Sequence, residues 1–119
     1  MVSVGIDIVE VNRLAGAIER WGSRFLDRVF TPAEISYCRG KAKEAESFAV
    51  RFAAKEAFAK AVKVGKVAIW REVEIARGEG PRPTLLVHGG ARGLLGARRV
   101  DLSLSHSELH AVAVVLVED

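Results

Sequence analysis

The stretch Lys43-Glu-Ala-Glu-Ser-Phe-Ala-Val-Arg-Phe-Ala-Ala-Lys-Glu-Ala-Phe-Ala-Lys-Ala-Val62 decides the fold. It contains no glycine or proline and is built from Ala, Glu and Lys, which are strong helix formers. It predicts one long helix from about Lys43 to Val62. On a helical wheel Ala45, Phe48, Ala49, Phe52 and Ala59 share one arc. Glu56 falls inside that arc and Lys60 on its border. A carboxylate on a buried face is costly unless it is paired or bound to a cation. Two readings stand. Glu56 and Lys60 form a plain i, i+4 helix pair, worth about 0.2–0.5 kcal/mol. Alternatively, Glu56 is a metal or catalytic carboxylate, with Lys60 beside it on a phosphate.

Upstream, Val2, Val4, Ile6 and Ile8 alternate with Ser3, Gly5 and Asp7. Period two predicts a strand with one greasy face, and Asp7 points to the other face near its end. Asp7 reads either as a strand-end residue capping the next helix or, taken with Glu56, as half of a magnesium site. Two carboxylates plus water and phosphate oxygens are the usual magnesium set. Asn12 reads as an N-cap for a helix carrying Leu14, Ile18 and Trp21 and ending near Gly22. Arg13, Arg20 and Arg24 line one narrow stripe of that helix if it continues past Gly22. The stripe is either a solvated face or a docking surface for an acidic partner. Thr31-Pro32-Ala33-Glu34 is a capping box with proline at the first helical position, opening a short helix through about Cys38.

Downstream of Gly65, Val67 to Ala76 reads as a strand, with Val73 and Ile75 inward and Glu72 and Glu74 outward. Gly78 to Pro81 is a turn, and Thr84 to His88 pairs back as a hairpin. Gly89 to Arg98 predicts a weak helix. Asp101 to Ser105 is a strand with Leu102 and Leu104 on one face and Ser103 and Ser105 on the other. Ser103 and Ser105 read as strand serines and His106 as a turn histidine, or Ser105 and His106 as contacts to a phosphorylated ligand. A serine–histidine nucleophile is disfavoured, because neighbours on a strand point apart. His110 to Val117 closes the chain as a strand apolar enough to be central. The order of elements implies an α+β fold. One domain spans residues 1–119, with an antiparallel sheet packed against one long helix plus shorter helices.

Composition narrows the function. The chain has 119 residues, half of them apolar, a net charge of +3 and one cysteine. Its mean hydropathy is +0.16. Disorder and fibrous repeats are excluded. A lone Cys38 allows no internal disulfide and suits a reducing, cytoplasmic setting. The N-terminus lacks the basic start of a signal peptide, and the longest apolar run is too short to span a membrane. No P-loop, dinucleotide or paired-cysteine motif is present, and His88 and His110 have no partners at zinc spacing. Twelve arginines raise the thought of a nucleic-acid module, but they are scattered and not interleaved with aromatics.

Five stretches resemble one family in the same order along the chain: Gly5 to Glu10, Phe30 to Glu34, Phe48 to Ala61, Trp70 to Ile75 and Leu102 to Ser107. The sequence is identified as a member of the holo-acyl-carrier-protein synthases, the small bacterial 4′-phosphopantetheinyl transferases. The resemblance implies magnesium-dependent transfer of 4′-phosphopantetheine from coenzyme A to a serine of apo acyl carrier protein, in fatty acid biosynthesis. The by-product is adenosine 3′,5′-bisphosphate. It implies magnesium on Asp7 and Glu56, catalysis by those two with Lys60, and coenzyme A near Arg51, Lys60, Gly65, Ser105 and His106. The base is Glu56 or a water on the metal. The acidic carrier would meet Arg13, Arg20 and Arg24, and a homotrimer would place its sites between chains. One departure follows the long helix: Lys63-Val64-Gly65 stands where the family usually has Gly-Thr-Gly. It motivates the alternative of a non-catalytic coenzyme A-binding paralogue.

Overall fold

The computed structural model describes residues 1–63, 69–77 and 82–119. Strand β1 (Val2–Glu10) runs directly into helix α1 (Val11–Trp21), followed by α2 (Ser23–Val29), α3 (Pro32–Arg39) and α4 (Glu44–Ala61). A 3₁₀ turn (Trp70–Glu72) leads to β2 (Val73–Arg77), which pairs with β3 (Pro83–Val87). Helix α5 (Gly89–Leu95), β4 (Arg99–His106) and β5 (His110–Glu118) complete the chain. The main sheet is antiparallel with order β1-β5-β4, and β2-β3 form a separate two-stranded sheet. The α+β reading holds. β5 is central as its aliphatic run predicts, because a strand flanked on both edges exposes little of itself.

Helix α4 matches the predicted span to within a residue or two and packs across the main sheet. Its Ala53, Ala54, Ala57 and Phe58 are buried against Ala113, Val115 and Val117 of β5 and against Val73 and Ile75. A second cluster joins Leu14, Leu26, Val29 and Phe30 to Phe48, Ala49 and Val50. The Phe30 and Phe48 rings lie 5.0 Å apart. The alanine face of α4 lets a strand come very close. A Cβ built on Gly5 would fall 1.9 Å from the Ala57 carbonyl oxygen, so only glycine fits there. The Ser3 hydroxyl donates to the Ala61 carbonyl at 2.5 Å, two residues further down the same contact.

This close approach sets which way β1 faces. Ser3, Gly5, Asp7 and Val9 turn towards α4, while Val2, Val4, Ile6 and Ile8 are 55–65% exposed on the outer side of the sheet. The greasy face of the strand therefore points to solvent. Large aliphatics have no room over the alanine face of α4.

Three local expectations change. Helix α1 begins at Val11 with Glu10 at its N-cap position and no side-chain cap, so Asn12 is not the cap. Strand and helix join without a loop, which leaves no capping turn to form. Gly22, at φ 55°, ends α1, and α2 starts anew at Ser23. Arg24 thus lies on a different helix from Arg13 and Arg20, and no continuous stripe exists. Trp70–Glu72, expected within a strand, coils into the 3₁₀ turn, and β2 starts at Val73. The predicted strand start at Val67, the Gly78–Pro81 turn and Gly65 lie outside the described residues. The α3 capping box is present in full: Thr31 N–H donates to Glu34 Oε1 at 3.0 Å and Glu34 N–H to Thr31 Oγ1 at 3.2 Å.

Candidate active site

Asp7 sits near the end of β1 and Glu56 on the fourth turn of α4. The Gly5–Ala57 contact brings these two elements together, and both carboxylates line one cavity of about 540 Å³. Glu10, Arg13, Phe52 and His110 complete much of its wall. Lys60, one helical turn beyond Glu56, does not pair with it. Its ammonium donates instead to Asp7 Oδ1 at 3.1 Å and to the Ile6 carbonyl at 2.9 Å. Glu56 Oε1 accepts a hydrogen bond from the Trp70 indole Nε1 at 2.5 Å. Among the described residues Glu56 takes part in no ion pair. The plain i, i+4 Glu56–Lys60 pair is therefore absent.

Glu56 is also less buried than the helical wheel implies. It is half-exposed, as is Phe52, and both border the cavity. The wheel centred the buried arc on Phe52, whereas the buried side centres on Ala53, Ala54, Ala57 and Phe58. The charged residue that does lie fully inside α4's packing is Lys55, at 0% exposure. Its ammonium lies 2.8 Å from Glu34 Oε1 and donates to the carbonyls of Trp70 and Val73 at 2.6 and 2.5 Å. Burial pulls the Lys55 pKa below the ordinary lysine value, and the Glu34 carboxylate opposes that shift. Glu34 Oε2 accepts from the Ile75 amide at 2.9 Å. Sequence reading missed this pair because the capping box already accounts for Glu34 and the alanine-rich helix hides Lys55. It missed Trp70 because nothing in a tryptophan's own neighbourhood tells where its N–H will land.

Arg51 and His106 line a second cavity of about 500 Å³, with Lys41, Lys43, Glu46 and Arg77. His106 Nδ1 is 2.9 Å from Glu46 Oε1. Arg51 is buried, donates from Nη1 to the Ser47 carbonyl and hydroxyl, and leaves its Nε without a partner. Ser105 stands exposed on β4, on the outer face of the sheet opposite Val112. Asp7, Glu56 and Lys60 are thus brought together, while Arg51 and His106 meet elsewhere in the same chain. Arg13 lies at the first cavity, and Arg20 and Arg24 are exposed further along α1 and on α2.

The chemistry of the first cavity is set by its donors. Among the described residues no group of three or more His, Cys, Asp or Glu side chains gathers to cage a cation. Two carboxylates with open space beside them match a magnesium ion. Magnesium keeps waters and takes one or two carboxylates plus phosphate oxygens rather than a full protein cage. Lys60, bound to Asp7, adds a positive charge where anionic phosphate would sit.

Comparison with known proteins places the chain in a family. Residues 3–115 match the family described as ACPS, the 4′-phosphopantetheinyl transferase superfamily. The chain belongs to that superfamily, among its holo-[acyl-carrier-protein] synthases. It is 51% identical over 124 residues to the holo-[acyl-carrier-protein] synthase of Koribacter versatilis, covering 100% of this chain and 99% of the relative. The crystal structure of the Neisseria meningitidis synthase superimposes with a TM-score of 0.87, at 33% identity over 100% of both chains. The Helicobacter pylori synthase, solved in complex with coenzyme A, gives 0.82 at 30% identity, covering 97% of this chain and 99% of that one.

Proposed function

We propose that this chain transfers 4′-phosphopantetheine from coenzyme A to a serine hydroxyl of apo acyl carrier protein, with magnesium held by Asp7 and Glu56. The observation that carries the reading is the meeting of these two carboxylates, from separate elements, in one cavity with Lys60 bound to Asp7. The names of the relatives, and the coenzyme A bound to the Helicobacter pylori synthase, support the same substrates.

In the reaction the serine oxygen attacks the β-phosphorus of coenzyme A. The bond from that phosphorus to the bridging oxygen breaks, and adenosine 3′,5′-bisphosphate leaves with the electron pair. Such transfers ask the protein for alignment and charge neutralisation rather than covalent chemistry. Magnesium held by Asp7 and Glu56 would supply Lewis acidity to offset the charge of the pyrophosphate. Lys60 adds a fixed positive charge at the cavity edge. The second oxygen of Glu56 carries no protein hydrogen bond among the described residues and is left for the metal, so a water in the cavity is the acceptor for the serine proton. Arg13, at the cavity, with Arg20 and Arg24 exposed nearby, offers an acidic carrier protein a docking surface even without a continuous stripe.

The whole chain, residues 1–119, acts as one transferase unit, and a homotrimer brings its two cavities into one site. Arg51, Lys41, Lys43 and Arg77 gather cationic groups fit for coenzyme A phosphates beside His106, but away from Asp7 and Glu56. A site shared between neighbours joins the carboxylate cavity of one copy to the cationic cavity of the next. Ser105, on the outer sheet face, and Gly65 join the coenzyme A contacts in this reading. A buried Cys38 thiol, which burial pushes up in pKa, suits the reducing cytoplasm.

The test is mass spectrometry of apo acyl carrier protein incubated with the chain, coenzyme A and magnesium. One added phosphopantetheine is expected, and chelation of the metal should abolish it. An unchanged carrier mass with coenzyme A bound would instead establish the non-catalytic paralogue.

A further inference from the structure

Two consecutive residues of α4 hold the same residue of the 3₁₀ turn at its two ends. Lys55 reaches beneath the turn, where its ammonium takes the Trp70 carbonyl at 2.6 Å. Glu56 reaches outward, where its Oε1 takes the Trp70 indole N–H at 2.5 Å. The Lys55 end is fixed in turn: it is fully buried, bound to Glu34 and to the Val73 carbonyl, and Glu34 is tied to the Ile75 amide. The indole is also packed against Phe52, ring centroids 6.3 Å apart, and Phe52 lies one turn before Glu56 on the cavity wall. Trp70 itself does not line the cavity. Its indole N–H occupies one oxygen of Glu56 from behind and leaves the other unengaged.

We propose that Trp70 is the positioning residue of the Glu56 carboxylate. It fixes the rotation of that group so that its free oxygen is presented to the magnesium ion shared with Asp7. The proposal rests on the magnesium-dependent transferase reading and assigns to Trp70 no contact with substrate. A glutamate has several freely rotating bonds, so an unsupported Glu56 samples orientations that do not ligate. Hydrogen-bond partners of ligating carboxylates typically change metal affinity or activity by about 10–100-fold. The chain therefore uses a buried ion pair, Lys55–Glu34, to anchor the backbone of the residue that aims a ligand.

The test separates metal affinity from turnover in the full-length protein. In Trp70→Phe the magnesium concentration giving half-maximal transfer should rise about tenfold, with turnover at saturating magnesium retained. A second readout needs no turnover. In Trp21→Phe the remaining indole is Trp70, and MgCl₂ added with coenzyme A should shift its emission. Coenzyme A alone should not, and Glu56→Gln should abolish the response. Magnesium-dependent transfer by the unmodified chain with an unchanged midpoint in Trp70→Phe overturns the positioning role and leaves the transferase reading standing. If Trp70→Phe does not fold, the emission decides, and an indole indifferent to MgCl₂ overturns the proposal. Absence of any magnesium-dependent transfer by the unmodified chain overturns the reading beneath it.

Discussion

The Asp7–Lys60 pair contributes little stability by its geometry. It spans 3.1 Å, but the Lys60 side chain is 57% exposed. Exposed ion pairs contribute about 0–1 kcal/mol. Lys60→Met should therefore leave thermal stability nearly unchanged while transfer falls, a split readable by calorimetry beside a carrier-modification assay. The carboxylates should behave differently from each other in the fold but alike in activity. Asp7→Asn and Glu56→Gln keep shape and remove charge, and each would take away one of the two proposed metal ligands. Each should cost more than the roughly 10–100-fold typical of losing an outer-shell partner. Extra magnesium should restore activity at most in part. The double variant should be no worse than the poorer single, because groups acting as a unit are strongly non-additive. A Glu56→Gln protein with near-normal turnover would remove the metal assignment. It would also show that the Trp70 hydrogen bond serves packing alone.

At the level of elements, two contacts put the site together, and they differ in how visible they are in sequence. The first is Gly5 against Ala57. Gly5→Ala would drive a methyl group into backbone atoms of α4, with no flexible side chain to yield. Overpacking typically costs 1–3 kcal/mol, so a loss at or above about 3 kcal/mol is expected by chemical denaturation. Activity should fall with it, since Asp7 lies two residues along the displaced strand. The second is the buried Glu34–Lys55 pair, which ties α3, α4 and β2. Removing one partner leaves an uncompensated buried charge, at a cost of about 3–5 kcal/mol. Glu34→Gln with Lys55→Met should cost less than the sum of the singles, since neither charge is then stranded. Periodicity made α4, β5 and the α3 cap legible, because each depends on local composition and caps. The orientation of β1 was not legible. Alternation shows that a strand has two unlike faces but not which of them meets the helix. That choice was made by Gly5 and the alanines of α4, far apart in the chain. Asp7 and Glu56 stood out as charges amid apolar residues. Their partners did not: Lys60 crosses to another element, and Trp70 arrives from beyond residues 64–68.

At the scale of the whole molecule, the outer face of the main sheet stands uncovered. Val2, Val4, Ile6 and Ile8 of β1 lie on the outer face of the sheet, joined by Leu116 opposite Val4 and by Val112 and Val114 on β5. Contiguous apolar surface of this kind marks an interaction site, since isolated soluble chains seldom keep it exposed. The two separated cavities point to the same conclusion from the chemistry, because neither holds both carboxylates and the main cationic cluster. Self-association across the outer face would cover the aliphatics and bring unlike cavities from neighbouring copies together. The arginines proposed to dock the carrier should act independently of this. Charge reversal at Arg20 and Arg24, which do not line the cavity, should raise KM for the carrier and spare coenzyme A binding, with an effect that shrinks at high salt. Assembly itself is testable by placing charge in the sheet face. The unmodified chain should run as a trimer by light scattering. Val4→Glu with Ile6→Lys should run as a monomer with its circular dichroism intact, because both positions are already solvent-facing in the isolated chain. If each site draws on two copies, that folded monomer should lose transfer even at saturating coenzyme A and magnesium. A double variant that is monomeric yet fully active would show that one chain holds a complete site, and that Arg51 and His106 serve some other purpose.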